Sequence, residues 1–312
     1  MDGRAKPGHD EGDGVVFDSN WLWVLFTLIA AASQTVRNAA QRELTLTLGT
    51  IGATHVRFLF GFPFALIFIA IVLVATGGPL PRPPAVFWVW VLDGALAQMA
   101  ATALMLAAMN DRSFVVVYAY IKTEPVQAAL FGLVFLGDIV TLPMAAAILI
   151  ATTGVVIMAL KPGTTLGLKA TMLGLAAGGM FALSAVGFRG AILSLASPNY
   201  VMAATFTMVI GLTIQVALLS PYLLLRNPAV MRAILRAWQP SMTAGFLGAL
   251  ASQFWFLAFA LATAASVRTL ALVEVLFAQA ISAFVFKQPT TRREALGIVL
   301  IVAGVGLLVW AH

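Results

Sequence analysis

The chain has 312 residues, is 61% hydrophobic and only 10% charged, and carries a net charge of +6 and no cysteine. A soluble domain is about 25% charged, so this composition excludes a water-soluble fold and makes lipid the main solvent. The missing thiols exclude disulfides and thiolate metal sites. His9, His55 and His312 fall in no metal-ligating spacing, so no metal or cofactor is expected.

The basic surplus lies between apolar segments. That is the pattern of helix anchoring and membrane topology, not of nucleic-acid recognition. Residues 1–20 are polar, mix acids with bases, and read as a disordered tail rather than a signal peptide. Ten apolar segments of spanning length follow, near 21–41, 52–76, 86–109, 113–136, 142–160, 171–193, 200–225, 241–263, 265–286 and 294–310. Breakers divide them. Gly77-Gly78-Pro79-Leu80-Pro81 separates the second and third, Lys161-Pro162-Gly163 the fifth and sixth, and Asn227-Pro228 ends the seventh. Met231 to Trp238 mixes arginine with apolar residues, as an interfacial turn or as an extension of the eighth segment would. The fold class is therefore an all-α membrane protein.

The segments fall into two halves, 21–160 and 171–310. Adding 150 to positions 113–160 carries Glu124 onto Glu274, Ala147 onto Gly297, Gly154 onto Gly304 and Val155 onto Val305 without a gap. Gly94-Ala95-Leu96-Ala97 matches Gly248-Ala249-Leu250-Ala251 at an offset of 154. Five is an odd number, so the second half enters the membrane upside down. The expected architecture is two inverted five-helix repeats. Gly174 and Gly178, and the seven-residue spacings Ala147 to Gly154 and Gly297 to Gly304, are small-residue faces for close helix packing.

Charge at bilayer depth is costly and usually functional. The deep charges are Lys122, Glu124 and Glu274, with Asp93 and Arg268 less deep. Spacing of four puts Tyr120 and Glu124 on one helix face, joined by Gln127, with Tyr118 and Lys122 on the next stripe. Pro125 removes a backbone donor and clashes with the carbonyl of Ile121, so it is the expected hinge. Gln34, Asn38, Gln98 and Gln253 add polar groups within the segments, and Trp255 is deep enough to stack on a solute. Arg37, Arg57 and Arg189 lie near segment ends, where snorkelling to headgroups competes with recognition of a solute carboxylate. The acids admit two readings. Lys122 can neutralise a glutamate in a structural ion pair. Alternatively both acids line a cavity, where one carries a proton or binds an amine.

At these residues the chain resembles the EamA family of the drug/metabolite transporter superfamily. The resemblance is carried by Thr54-His55-Val56-Arg57-Phe58, by Glu124-Pro125-Val126, by Leu133-Val134-Phe135-Leu136-Gly137-Asp138, and by Ala151-Thr152-Thr153-Gly154-Val155 with its partner Ile301-Val302-Ala303-Gly304-Val305. It implies a ten-helix transporter, often an exporter of amino acids or other small metabolites. The family's usual glutamate after Leu-Gly is Asp138 here, and Lys287-Gln288 stands at that place in the second half. Val275 stands where a second proline is frequent, which puts the second kink in question.

The leading expectation is a secondary transporter of a small metabolite, working by alternating access, with the proton as a possible coupling ion. It would sit in a plasma membrane, such as a bacterial inner membrane. There is no GxxxxGK[ST], so direct ATP drive is not expected. A non-transporting structural or regulatory protein is the alternative. An intramembrane enzyme lacks a visible nucleophile–base pair. The charge count puts both termini outside, whereas the resemblance puts them inside. Solute, direction and the choice between monomer and homodimer stay open.

Overall fold

The structure, a computed structural model, describes residues 21–111, 117, 120–159, 168–284, 287 and 290–312. The expected polar tail, Tyr118 and most of the link between the halves lie outside the described residues. Eleven α-helices and no strand occur among those described. They are α1 (Leu22–Thr76), α2 (Ala85–Asp111), α3 (Glu124–Phe131), α4 (Leu142–Ala159), α5 (Leu168–Ser194), α6 (Tyr200–Arg226), α7 (Pro228–Arg236), α8 (Trp238–Leu261), α9 (Ala264–Leu270), α10 (Val273–Phe284) and α11 (Arg292–Trp310). A π turn, Gly132–Leu136, extends α3.

Seven helices among the described residues are long and apolar enough to cross a membrane: Ile51–Thr76, Ala85–Met105, α4, α5, α6, α8 and α11. The expected ten are therefore matched by seven among the described residues. The first, fourth and ninth expected segments are missing from the seven, and they hold the polar residues. The fourth is interrupted at Lys122–Thr123 and the ninth at Ala271–Leu272. The first runs into the second as one helix, α1, with a non-helical residue at Gly49 (φ 66°, ψ 173°).

The chain reverses at Gly49. Arg37 and Arg57 both lie against Gly248 of α8, yet a straight helix would hold residues twenty apart about 30 Å from each other. Only glycine adopts that backbone conformation readily. Thus α1 has two arms, 22–48 and 50–76.

The expected amphipathic stretch after Pro228 is a helix of its own. In α7, Met231 and Ile234 are buried, while Arg232, Leu235 and Arg236 are exposed. Its backbone leaves the helical region at Ala237 before α8 begins.

Three packings dominate: α8 on α1, α2 on α5, and α4 on α11. The last is built on glycine. A Cβ on Gly154 would stand 2.8 Å from the carbonyl oxygen of Gly297, and one on Gly297 would stand 2.7 Å from that of Gly154. A Cβ on Gly304 would stand 2.6 Å from the amide of Ala151. Lipid supplies no hydrophobic drive between helices, so this closeness provides the dispersion contacts that hold the pair. Gly174 and Gly178 of α5 receive Tyr120 and Ile121, which precede the break before α3. Trp88, Trp238 and Trp310 are exposed, as interfacial anchors are.

Candidate functional site

Each glutamate follows a break. Glu124 is the first residue of α3, after the turn at Lys122–Thr123, and Glu274 is the second residue of α10, after the turn at Ala271–Leu272. Tight i→i−3 bonds replace the helical ladder at both places: Val126 N–H to the Thr123 carbonyl at 3.1 Å, and Val275 N–H to the Leu272 carbonyl at 3.0 Å. Both carboxylates therefore sit at helix N-termini, the positive end of the peptide dipoles. Pro125 is the second residue of α3, where a missing N–H costs little. The second half breaks without a proline at Val275, so the kink put in question there is present.

The ion pairs cross between halves. Lys122 pairs with Glu274, not with its neighbour Glu124. The second oxygen of Glu274 accepts from Gln34 Nε2 at 3.0 Å, and Gln34 Oε1 accepts from Trp255 Nε1 at 3.2 Å. Glu124 Oε1 lies 2.8 Å from Arg268 Nε, an ion pair in distance that lacks hydrogen-bond geometry. The Arg268 guanidinium stands 5.2 Å from the Trp255 ring centre and 5.5 Å from that of Phe259. Trp255 thus meets Arg268 directly and reaches Glu274 through Gln34. Lys122, Glu124, Glu274 and Trp255 are all under 9% exposed. Buried charges persist only when paired; the crossed arrangement pairs both carboxylates and adds hydrogen bonds at Glu274.

Several expected neighbours go elsewhere. Tyr120 is separated from Glu124 by the break at Lys122–Thr123, which undoes the spacing rule, whereas Gln127 follows the break in α3 with Glu124 and bonds elsewhere. Tyr120 packs on Gly174 of α5, and its buried hydroxyl has no hydrogen-bond partner. Gln127 Nε2 donates to Thr123 Oγ1 at 3.2 Å and to the Leu175 carbonyl at 3.3 Å. Gln98 accepts from Gln215 Nε2 at 2.7 Å, away from the acids. Gln253 donates to Thr205 Oγ1 at 2.7 Å. Asn38 is exposed and accepts from Arg37 at 2.8 Å.

Three arginines were weighted too lightly from sequence. Arg268 completes the Glu124 pair. Its signal was its place six residues before Glu274 in the same apolar segment. Arg37 is 7% exposed, so it does not snorkel. Arg57 lies beside it on Gly248 and within electrostatic reach of both Arg37 and Arg268. Arg189 caps the C-terminal end of α8 instead. It donates to the carbonyls of Phe259 at 2.7 Å and Ala262 at 2.5 Å, and lies 3.4 Å from Asp138.

Among the described residues no three His, Asp or Glu side chains converge as a metal site requires. A cavity of about 630 Å³ opens at the bundle end between Leu44 and Leu48 of α1 and Arg232 and Arg236 of α7. None of the acids lines it.

The model of the EamA-like transporter family matches residues 21–160, which include the first arm of this cluster and its first break. That stretch is similar to the family's unit. No curated protein matches the chain. The EamA-like match stops at the middle of the chain, but the likeness in fold does not. A crystal structure described only as that of a protein shares a TM-score of 0.68 at 15% identity, over 91% of this chain and 95% of its own. With seven helices among the described residues long and apolar enough to cross a membrane, the chain is a multi-pass membrane protein.

Proposed function

We propose that the chain is a secondary transporter of a small polar metabolite, with its solute site at the crossed pairs. The observation that carries this reading is the crossing itself. Each half's carboxylate is held by a cation of the other half. Any rearrangement of one half against the other must therefore break or exchange both pairs, and a solute entering between them can compensate the change.

The reading has ten spans in two inverted halves, 21–160 and 171–310, with the broken segments counted as spans. Two features support it. Both breaks fall within one residue of each other under the 150-residue offset. The packing of α8 on α1 has its counterpart in the packing of α2 on α5. Alternating access follows if the halves exchange conformations. Glu124 and Glu274 are the candidate proton carriers, Pro125 the candidate hinge, and export the candidate direction.

The exposed bases Lys169, Arg226, Arg232, Arg236, Arg292 and Arg293 all stand at one end, opposite Trp310. That end faces the cytoplasm by the positive-inside rule, with both termini outside a plasma membrane. A reporter fused after His312 tests this: activity only of a cytoplasmic reporter reverses the orientation.

Flux into proteoliposomes, with and without a pH gradient, tests the transport reading. Glu124→Gln and Glu274→Gln proteins that fold but lose flux support it; full activity in both sinks it and leaves the pairs as structural locks.

A further inference from the structure

We infer that the cavity between α1 and α7 binds an anionic phospholipid, with its phosphate on Arg232 and Arg236 and its acyl chains along Leu44 and Leu48. The site is separate from the crossed pairs and independent of the transport reading. The cavity measures about 630 Å³, within the range of about 300–1,000 Å³ that small-molecule sites occupy. Its walls differ in kind. Arg232 and Arg236 stand four residues apart, on one face of α7, and both are exposed. Leu44 and Leu48 line it from α1, and Ala229 and Ala233 add to the apolar lining.

The arginines are held in place by the seating of α7. A Cβ on Gly52 would stand 2.9 Å from Val230 Cγ1 and 3.9 Å from Ile234 Cδ1, so α7 lies close on the turn of α1. Met231 and Ile234 are buried on its inner face, which turns the arginines outward. Leu235 and Trp238 are exposed beside them, as on a helix lying at headgroup depth. Neither arginine has a carboxylate partner among the described residues. Arg232 Nε donates to the Pro228 carbonyl of its own helix, at 3.4 Å.

Two like charges one helical turn apart repel each other. A phosphate set between them removes that repulsion and accepts from both guanidinium forks. A free phosphate would leave the leucine wall facing water. A choline headgroup would bring a third cation against the arginines. An anionic phospholipid answers both walls at once, and basic pockets at this depth in membrane proteins suit acidic headgroups.

Native mass spectrometry of the purified full chain tests this, from detergent micelles carrying equal amounts of dioleoylphosphatidylglycerol and dioleoylphosphatidylcholine. The first lipid bound is phosphatidylglycerol, favoured about tenfold or more. Arg232→Gln combined with Arg236→Gln removes that preference, while lysine at both positions, which keeps the charge, retains part of it. Ala229→Trp fills the cavity, leaves both arginines in place, and lowers phosphatidylglycerol occupancy by about tenfold. Arg226→Gln combined with Arg292→Gln leaves the preference as it was, because these exposed bases do not line the cavity. The inference is overturned if the two lipids bind alike or if the paired glutamine variant keeps the preference. It also falls if Ala229→Trp binds phosphatidylglycerol at the parental level, which reduces the arginines to surface charge. Displacement of the lipid by glycerol 3-phosphate at equal concentration overturns it as well, since the site would then take a soluble phosphate ester.

Discussion

Glu124 and Glu274 occupy equivalent places after equivalent breaks, yet they are held differently. Glu274 is gripped from two sides, by Lys122 and by Gln34, whose other end is fixed by Trp255. Glu124 has a close arginine without hydrogen-bond alignment, and that arginine is shared with two aromatic rings. The cations differ too. A buried lysine can surrender its proton, whereas a guanidinium keeps its charge. The lesson is that two acids at matching places in the sequence can be held by different partners. The Glu274 pair is hydrogen-bonded from two sides, and the Glu124 pair is a close contact without that alignment.

The largest effect expected from this contrast is at Glu274. Glu274→Gln lowers transport by about a hundredfold, the rate equivalent of roughly 3 kcal/mol, and Glu124→Gln by about tenfold. Glu274→Gln also leaves Lys122 buried and unpaired, at a cost of about 3–5 kcal/mol. Combining it with Lys122→Met restores most of that stability but not the flux. Proteoliposome flux and thermal unfolding of the two single variants and the double variant measure both. Equal losses from the two glutamates would erase the distinction.

The next effect concerns a place where the halves are alike. Gly154 and Gly297 each face the other's backbone oxygen across α4 and α11. Valine at either position overpacks the contact at a cost of about 1–3 kcal/mol. The two variants should lose the same amount in thermal unfolding. A large difference between them would mean that the helix pair is not shared evenly by the halves.

Arg189 sharpens the asymmetry instead. It ties the end of α8 to Asp138, and the second half has Lys287-Gln288 where Asp138 would stand. Arg189→Gln frees two carbonyls and costs about 1–2 kcal/mol. Asp138→Asn removes only a partly exposed ion pair and costs about 1 kcal/mol or less. Unfolding midpoints that reverse this order would make Asp138, not the helix end, the main partner of Arg189.

Much of this was legible locally. A glutamate in an apolar run and glycines seven apart are signals a few residues long, and α4, α11 and both breaks carry them. What was not legible is set by tertiary contact. Lys122 stands beside Glu124 in sequence and pairs with Glu274, because the break turns the two side chains apart. The spacing of four that joins Tyr120 to the Glu124 face holds only in an unbroken helix, and Gln127, on the same helix as Glu124, donates its hydrogen bonds to Thr123 and α5 instead. Arg37 and Arg57 look like helix-end residues until the reversal at Gly49 brings both against Gly248.

The smallest effect decides what makes the break. Sequence reasoning assigned the kink in the first half to Pro125 and left the second half without a cause. The structure breaks both halves, with proline at position 125 and valine at 275. Proline in the first turn of a helix fits the helical φ and gives up an N–H that would be unpaired there anyway. The break is then maintained by what surrounds it: the Lys122–Glu274 and Arg268–Glu124 pairs, which require each carboxylate at a helix start, and the Thr123 hydroxyl, which donates to the Tyr120 carbonyl at 2.7 Å. On this view Pro125→Ala changes stability by less than about 1 kcal/mol, keeps the break, and alters flux by a small factor. Val275→Pro is equally mild, because it places proline in the first turn of α10. Thermal unfolding and flux of the two variants check both halves at once. A severe loss from Pro125→Ala beside a mild Val275→Pro would mean that the first half depends on its proline while the second has found another way to bend.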